Sequence, residues 1–308
     1  MDSQNNRTSI LVVGATGHLG SLITKHCLAQ PKLLVNILVR DPQKNKELTE
    51  AVEKAGGKVW KGDVNHPETL DEPMKGVHTV VSTTSQMDAK AAYDGQVTVI
   101  DAAVRNGVKR FVPSYFAENM DNFTAEEMKQ LGAIESPSLV LEYLKTQPLQ
   151  IIYFWPGLFL DSFFDTINVN DFGYWGNPDH IYDLTTYEDT AKYVAVALSD
   201  ENRTGRYHFS VNRVTIAQVA EIYNRVRGTK VVPKCWGTLE DLRNAYFEAK
   251  AKDPNAIPTI LLSIYLVIFD DRSTFDNVHN REFPDVKTTS IEEYLEQNPQ
   301  IQLPEPTN

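Results

Sequence analysis

The chain of 308 residues has few cysteines, no histidine pairs at ligand spacing and no long apolar run, and each shortage excludes a class of protein. Two cysteines, Cys27 and Cys235, are too few for a disulfide framework. The seven histidines show no spacing typical of metal ligands. The longest apolar run covers residues 260–269, whereas a membrane-spanning helix needs about 20 apolar residues. We therefore expect no metal site and no membrane-spanning helix.

The chain also has few basic residues. Its 30 Lys and Arg are outnumbered by 41 Asp and Glu, which gives a net charge of −11. With an isoelectric point near 5.1, the chain lacks the clustered basic residues of a nucleic-acid-binding surface. The first residues, MDSQNNR, do not contain the apolar core of a signal peptide. We expect a cytoplasmic protein that binds a small molecule and neither nucleic acid nor membrane.

Residues 9–20, with the sequence SILVVGATGHLG, join a strand to a helix through three glycines. Residues 10–13 are apolar and mostly β-branched, which is typical of a buried strand. The apolar residues that follow recur on one helical face. Strand, glycine turn and helix are the context in which such a motif predicts a phosphate-binding turn. The alternative is a turn that uses glycine without binding a ligand.

The three glycines have distinct expected roles in this turn. A phosphate pair binds at a helix N-terminus only when backbone N–H groups point at it and no Cβ intervenes. We expect Gly14 to form the tight turn, Gly17 to allow close approach of a pyrophosphate, and Gly20 to let the helix pack on the strand. The spacing is G-x-x-G-x-x-G and differs from the commoner G-x-G-x-x-G. The dinucleotide-binding residues predicted here are Gly14, Ala15, Thr16, Gly17, His18, Leu19 and Gly20.

The next strand, residues 34–39, ends at Arg40, where a dinucleotide site reads the ribose of the adenosine. An acidic side chain at this point binds a 2′-hydroxyl, and an arginine accommodates a 2′-phosphate. Arg40, followed by Lys44, favours NADP(H) over NAD(H). Asp41 leaves an alternative open, as a ribose ligand or as a turn residue before Pro42.

Strands separated by helical stretches continue through the first half of the chain, which predicts right-handed crossovers and a parallel sheet. Ligands of such sheets bind beyond the carboxyl ends of the strands. The residues that follow successive strands are therefore expected along one rim; they are Gly14, Arg40, Asp63, Ser82, Thr83, Thr84 and Ser114. The predicted fold class is α/β, a doubly wound parallel sheet of the Rossmann type with a smaller C-terminal substrate lobe.

The composition becomes aromatic after Pro156, which indicates a change of domain. We expect residues 1–155 to form the dinucleotide-binding domain and residues 156–308 mostly the substrate-binding lobe. A helix and a strand within residues 187–210 are expected to return to the sheet. Capping boxes predict helix starts at Thr124, Thr215 and Ser290. Ser136 and Pro137 predict another start, with the serine as N-cap and the proline in the first helical position.

Taken together, these stretches resemble the NmrA-like and isoflavone reductase-like proteins, a group of atypical short-chain dehydrogenases/reductases. The resemblance covers nearly the whole chain. It rests on seven motifs, which are GATGHLG at 14–20, LVR at 38–40, GDV at 62–64, VKRFVPS at 108–114, VLEYL at 140–144, WPG at 155–157 and TSIEEYL at 289–295.

The resemblance implies a set of ligand contacts. NADP(H) would be held by the glycine turn, with Arg40 and Lys44 at the 2′-phosphate and Asp63 and Val64 beside the adenine. The residues implied along the ribose on the nicotinamide side are Ser82, Thr83 and Thr84. An aromatic wall would contact the substrate; its predicted residues are Trp155, Gly157, Phe159 and Phe163.

Two departures from the family pattern bear on activity. The lysine that family reductases carry on the helix before the sixth strand falls at Pro137, which has no acid–base group. The usual Ser-Glu-aromatic sequence after the fifth strand is Ser114-Tyr115-Phe116 here. Hydride transfer also needs a group that handles a proton. Tyr115 is the candidate catalytic residue, and a ring that only packs is the alternative.

Three hypotheses follow from these residues. The first is an NADP(H)-dependent oxidoreductase acting on a small apolar or aromatic metabolite. The second is a non-catalytic NADP(H) sensor that regulates a partner protein, which the loss of the lysine favours. The third is a non-redox enzyme on the same scaffold, catalysing a dehydration, isomerisation or cyclisation. A regulatory protein partner and a homodimer both stay open.

Overall fold

The computed structural model describes residues 7–84, 89–168 and 171–304. Its strands, in chain order, are β1 (Thr8–Val13), β2 (Leu33–Val39), β3 (Val59–Lys61), β4 (Thr79–Ser82), β5 (Arg110–Val112), β6 (Gln150–Trp155), β7 (Leu158–Phe159), β8 (Gly173–Trp175), β9 (Tyr182–Thr185), β10 (Gly205–His208), β11 (Asn212–Val214) and β12 (Lys234–Gly237).

The helices of the described residues alternate with these strands. The α-helices are α1 (His18–Leu28), α2 (Lys46–Lys54), α3 (Asp71–Met74), α4 (Ala89–Arg105), α5 (Ala125–Gln130), α6 (Gly132–Lys145), α7 (Leu160–Thr166), α8 (Tyr187–Leu198), α9 (Ile216–Arg227), α10 (Leu239–Lys252), α11 (Ile257–Ile268) and α12 (Ile291–Gln297). Short 3₁₀ turns lie at Pro42–Asn45, Pro67–Thr69, Asp271–Ser273 and Asn280–Glu282.

The largest sheet of the described chain has seven strands in the order β10-β6-β5-β4-β1-β2-β3. Neighbouring strands from β3 to β6 all pair in parallel. The order reverses at β1 and β4, which is the topological switch point where doubly wound folds bind ligands. The predicted Rossmann-type sheet is therefore confirmed, and β10 lies at its edge beside β6.

By their contacts the residues group into two compact units, each with its own core. Unit 1 comprises residues 1–115, 136–154 and 190–207. Its core lies against the sheet, because β1 is a run of apolar side chains and α4 presents Val99, Ile100 and Ala103 to it. A parallel strand covered on both faces needs such a continuous apolar run.

Unit 2 comprises residues 116–135, 155–189 and 208–308. It contains a three-stranded sheet in the order β11-β9-β7 and the two-stranded pair β12-β8. Helix α11 is its most apolar element, with Tyr265, Leu266 and Val267 buried. Within the described ranges no helix combines the length and the apolar character that a membrane crossing requires.

Local capping follows the sequence closely. Thr124, Thr215 and Ser290 each form the predicted capping box, in which the hydroxyl accepts from the third backbone N–H of the helix and the third side chain accepts from the cap. Thr238 forms a further box at the start of α10. These three predictions are confirmed.

The predicted start of α6 at Ser136 is wrong, because the helix begins at Gly132 and contains Pro137 in its interior. The hydroxyl of Tyr246 accepts a hydrogen bond from the backbone N–H of Gly132 at 3.1 Å. This contact from a residue 114 positions away satisfies an N–H that the first turn of a helix otherwise leaves without a partner. A long-range contact thus extends the helix upstream of the local start signal.

Candidate functional site

The turn between β1 and α1 has the shape that the glycines predict. Gly14 adopts a φ of +84°, which is in the left-handed region that favours glycine. Its carbonyl accepts the N–H of Gly17 at 3.0 Å and closes the turn. A Cβ on Gly14 would lie 2.6 Å from the carbonyl oxygen of Thr83. The tight turn assigned to Gly14 is therefore confirmed.

Gly20 and Gly17 differ in what surrounds them. A Cβ on Gly20 would lie 2.4 Å from the carbonyl oxygen of Gly14 and 2.5 Å from Oγ1 of Thr83, so the protein's own packing requires glycine there. A Cβ on Gly17 would meet only the carbonyl oxygen of Gly14, at 3.3 Å. Gly17 is also exposed and begins α1 without a side-chain cap. Its open side is the part of the turn that an anion can approach.

The remaining residues of the turn divide by exposure. Thr16 and His18 are exposed, Leu19 is half-buried, and Ala15 is fully buried under the turn. A helix N-terminus offers backbone N–H groups and a partial positive charge. The exposed residues Thr16 to His18 therefore surround the point where an anion would bind.

Arg40 and Lys44 follow the carboxyl end of β2, and both are exposed. Neither has an ion pair within the described part of the chain. The carboxylate of Asp41 accepts the backbone N–H of Gln43 at 3.0 Å and caps the following 3₁₀ turn. This contact supports the turn role of Asp41. Arg40 and Lys44 lie close to it in sequence, and neither is held by an ion pair in the described residues.

Asp63 and Val64 follow the carboxyl end of β3. The carboxylate of Asp63 accepts the N–H of Asn65 at 3.0 Å, and its own N–H donates to Thr69 Oγ1 at 3.1 Å. Val64 packs on α4 beside Gly95, where a Cβ would lie 3.2 Å from its Cγ2. Both residues are half-buried and keep surface at the sheet edge.

A chain of hydrogen bonds, here called the polar rim, joins the carboxyl ends of β1, β4 and β5. The carbonyl of Val13 accepts the N–H of Thr83 at 2.8 Å and its Oγ1 at 2.9 Å. The hydroxyl of Ser114 donates to the carbonyl of Thr84 at 2.8 Å. Ser82 Oγ lies 3.3 Å from Thr84 Oγ1, and Ser82 itself is fully buried. The rim brings together the residues predicted from two separate stretches, 82–84 and 114.

Gln96 on α4 closes the polar rim and was not predicted from the sequence. Its Oε1 accepts the backbone N–H of Ser114 at 2.7 Å. The side chain is fully buried. A signal did exist, because Gln96 is a polar residue in the apolar helical stripe formed by Ala92, Val99 and Ile100.

Tyr115 and Pro137 are the two positions on which activity was argued. Tyr115 directly follows the rim residue Ser114, and its side chain is only 6% exposed. Its backbone N–H bonds to the carbonyl of Pro113 at 2.8 Å, which makes a tight turn. Pro137 is buried inside α6. The α6 position at which the resemblance implies a lysine therefore presents no ionisable group.

The predicted substrate wall is mostly packed core in unit 2. Trp155 is buried with its ring stacked on His208 at 5.2 Å, and Phe163 is buried against Tyr182 at 5.4 Å. Gly157 has a φ of +70°, and a Cβ there would lie 2.2 Å from the carbonyl oxygen of Asp183. The close approach of β9 therefore explains why residue 157 is a glycine.

Phe159 is the one predicted wall residue that keeps exposed surface. It is half-buried, with its ring 4.1 Å from that of Tyr187. The neighbouring Asp161 accepts the backbone N–H of Tyr187 at 2.8 Å and so caps the start of α8. Phe159 alone of the four remains available for contact with a ligand.

Two carboxyl groups on the segment 116–135 have opposite environments. Burial raises the pKa of Glu118, whose backbone neighbours are fixed by bonds from Gly157 to Ala117 and from Asn119 to Ser273. The backbone N–H of Thr124 and the guanidinium of Arg272 lower the pKa of Glu127 to about 2. Among the residues that the structure describes, no cluster of His, Cys, Asp and Glu is arranged to hold a metal ion.

Comparisons with known proteins agree with this geometry. The model of the NmrA-like family matches residues 6–295. A phenylcoumaran benzylic ether reductase from Pyrus communis is 25% identical and covers 95% of this chain and 99% of its own length. The solved structure of an isoflavone reductase has a TM-score of 0.76 at 22% identity, covering 94% of this chain and 99% of that one. The leucoanthocyanidin reductase of Vitis vinifera, solved with NADPH, has a TM-score of 0.73 at 21% identity, covering 94% and 98%.

Proposed function

Because this chain belongs to the NmrA-like family, we propose that it is an NADPH-dependent reductase of a small apolar or aromatic metabolite. The proposal rests first on unit 1 and its glycine turn. Fold alone does not define activity, so the argument depends on the residues at the rim.

The open side of Gly17 carries the proposal. Gly14 and Gly20 are required by contacts within the chain, whereas the side chain missing at Gly17 leaves space at the N-terminus of α1. A pyrophosphate fits such a position, since no Cβ blocks the backbone N–H groups and the helix dipole favours negative charge. The residues of the turn thus fit the phosphates of a dinucleotide.

Arg40 and Lys44 support the choice of NADPH over NADH. A guanidinium at the end of the second strand accommodates a 2′-phosphate, and neither cation has an ion pair in the described ranges that would compete. Asp41 is engaged with the N–H of Gln43. The leucoanthocyanidin reductase that shares this fold was solved with NADPH, which is consistent with the same preference.

Bound NADPH supplies a hydride, and the protein must hold the nucleotide, exclude water and handle a proton. In this proposal Thr83 and Thr84, which are half-buried, hold the ribose nearest the nicotinamide, and the buried residues Ser82 and Ser114 keep them in place. Tyr115 is the proton-handling candidate, because a phenol donates and the residue follows the rim directly. Within unit 2, Phe159 keeps part of its aromatic ring exposed. The names of two relatives, a phenylcoumaran benzylic ether reductase and a leucoanthocyanidin reductase, support that substrate class.

A second candidate function is a non-catalytic NADP(H) sensor. The observation that favours it is the buried Pro137 inside α6, at the position where the family reductases carry a lysine. A sensor needs the dinucleotide site of unit 1 but no proton donor at that position. The two candidates differ in their response to redox state, since a sensor must bind NADPH and NADP⁺ with different affinity.

Calorimetric titration with NADPH, NADP⁺, NADH and NAD⁺ tests the proposal. We expect NADPH to bind at least about tenfold more tightly than NADH, and Arg40→Ala to remove that preference. Lys25→Ala is the matched control, because Lys25 is an exposed cation at the other end of α1 and no phosphate contact is expected there.

The outcomes of this titration separate the hypotheses. An unchanged preference for NADPH in Arg40→Ala would overturn the 2′-phosphate assignment. A large gap between NADPH and NADP⁺, with no turnover of aromatic carbonyl or ether substrates, would favour the sensor. If none of the four nucleotides binds, both functions fail and a non-redox enzyme becomes the better hypothesis.

A further inference from the structure

Gln96 is a fully buried amide on α4, and within the described residues its side-chain hydrogen bonds go to Ser114, two residues beyond the end of β5. Its Oε1 accepts the N–H of Ser114 at 2.7 Å, and its Nε2 lies 3.5 Å from the carbonyl oxygen of Ser114. The amide therefore satisfies both backbone groups of Ser114, as a neighbouring strand would. Strand β5 ends at Val112, so no strand partner supplies these bonds at Ser114.

Ser114 in turn holds Thr84, which follows the carboxyl end of β4. With its backbone held by Gln96, its hydroxyl donates to the carbonyl of Thr84 at 2.8 Å. Thr83, one residue earlier, is bound to Val13 by two hydrogen bonds and contacts the glycine turn. Gln96 thus holds the last residue of the polar rim, Ser114, and Tyr115 directly follows Ser114 in the chain.

The strands that precede Ser114 and Thr84 indicate which half of a dinucleotide lies near these two residues. Arg40 and Asp63 follow β2 and β3, on one side of β1, and they are suited to the adenosine half. The rim residues follow β4 and β5, on the other side of β1. A dinucleotide whose pyrophosphate lies at the β1–α1 turn therefore extends its second half towards the rim.

We propose that Gln96 is a positioning residue for the nicotinamide half of bound NADPH, acting through Ser114 and Thr84. The inference rests on the proposed function, because it assumes that unit 1 binds the dinucleotide. Gln96 does not touch the ligand in this proposal. It holds the backbone of Ser114 and the turn at Tyr115 in one place, so that their polar atoms meet the ligand without rearrangement.

A purely structural role predicts something different. In that case the loss of Gln96 weakens unit 1 as a whole and lowers the affinity for every ligand of the unit in the same proportion. A positioning role predicts a selective effect on ligands that carry a nicotinamide. The ligand 2′,5′-ADP has the adenosine and the 2′-phosphate but no nicotinamide, and it separates the two.

The experiment measures the dissociation constants of NADPH and 2′,5′-ADP for the wild-type protein, Gln96→Met and Gln96→Glu. Fluorescence of the reduced nicotinamide reports the environment of that half in each complex. Thr98→Val is the matched control, since Thr98 lies on the same helix and its hydroxyl bonds only to the carbonyl of Asp94. Thermal denaturation of each variant measures stability separately.

We expect Gln96→Met to weaken NADPH by about tenfold and 2′,5′-ADP by less than about twofold, with altered nicotinamide emission. A carboxyl at this site is buried, and burial raises its pKa. The protonated acid accepts and donates like the amide, so Gln96→Glu should recover NADPH affinity at about pH 6 and lose it at about pH 8.5. Taking the ratio to 2′,5′-ADP removes the titration of the ligand's own phosphate.

Three results would overturn the inference. Equal weakening of NADPH and 2′,5′-ADP in Gln96→Met would show a structural role only, while the proposed function would stand. Affinity ratios of Gln96→Glu that do not change with pH would contradict the hydrogen-bonding role, even if Gln96→Met fails to fold. Absence of NADPH and 2′,5′-ADP binding to the wild-type protein would overturn the proposed function and the inference with it.

Discussion

In the turn between β1 and α1, three of the seven residues predicted to meet a ligand, Thr16, Gly17 and His18, are exposed. In the stretch from the end of β6 to α7, most of the residues predicted to meet a substrate are packed in the core, since Trp155 and Phe163 are almost completely buried. Two clear sequence patterns thus led to different outcomes, which are an exposed turn in unit 1 and packed core in unit 2.

The difference has a physical cause. A phosphate-binding turn is made by backbone groups, so the sequence marks it by glycines, which lack side chains. Those backbone groups stay exposed in the folded chain. An aromatic side chain gains stability from any apolar neighbour, so an aromatic-rich segment buries its rings in the nearest core unless something prevents it. In this molecule the glycine pattern therefore predicts exposed backbone more reliably than the aromatic pattern predicts exposed rings.

The contrast between the exposed turn and the packed aromatic residues depends on Phe163 being part of the core of unit 2 and not a ligand contact. We expect Phe163→Ala to lower the free energy of unfolding by about 3–5 kcal/mol, because removal of a buried ring leaves a cavity. Chemical denaturation followed by circular dichroism measures the loss. Phe159→Ala is the matched control, and its half-buried ring predicts a loss of about 1 kcal/mol. Small and equal losses in both variants would contradict the packing role of Phe163.

The architecture was largely predictable, because strand and helix periods in the first half of the chain define a parallel sheet without any tertiary information. The roles of Gly14 and Gly20 were also predictable, since both follow from the geometry of a turn. Gln96 was not, because its partner Ser114 becomes adjacent only when α4 packs on the sheet. The start of α6 was missed for the same reason, since Tyr246 lies far along the chain.

A second test concerns the glycine that the protein's own packing requires. We expect Gly20→Ala to lower the free energy of unfolding by about 2 kcal/mol, because its Cβ would overlap the carbonyl oxygen of Gly14 and the hydroxyl of Thr83. The higher helix propensity of alanine offsets less than about 1 kcal/mol of this cost. Urea denaturation without ligand measures it, and unchanged stability would contradict the packing role.

Gly17→Ala sharpens the comparison within the same turn. Its Cβ would meet the carbonyl oxygen of Gly14 at 3.3 Å, and the backbone of Gly17 is extended, so the free energy of unfolding should fall by no more than about 1 kcal/mol, the usual cost of alanine at an N-cap. NADPH affinity should fall by about tenfold, because the methyl group enters the space proposed for the pyrophosphate. Thermal denaturation and calorimetry on the same preparation separate the two effects. Full NADPH affinity in this variant would remove the main support for the dinucleotide site.

The smallest expected effect concerns Glu118, a carboxyl of the segment 116–135 that has no ion pair in the described ranges and whose pKa is raised by burial. Burial raises its pKa above the usual 4.5, so the folded state binds this proton more tightly than the unfolded chain does. Its contribution to stability is present in full below about pH 4.5 and is lost as the pH rises through the folded pKa. Glu118→Gln should therefore become more stable relative to the wild-type protein as the pH rises from about 4.5 to 7.

Glu127 gives the matched comparison with the opposite sign. Its pKa is lowered from 4.5 to about 2, so its contribution is present above about pH 4.5 and is lost as the pH falls towards 2. Glu127→Gln should be less stable than the wild-type protein at pH 7, and the difference should shrink in acid. Denaturation midpoints between about pH 2 and 7 measure both variants. Parallel pH profiles for the two variants would show that Glu118 is not held in a desolvated site, and unit 2 would then resemble an ordinary charged surface along this segment.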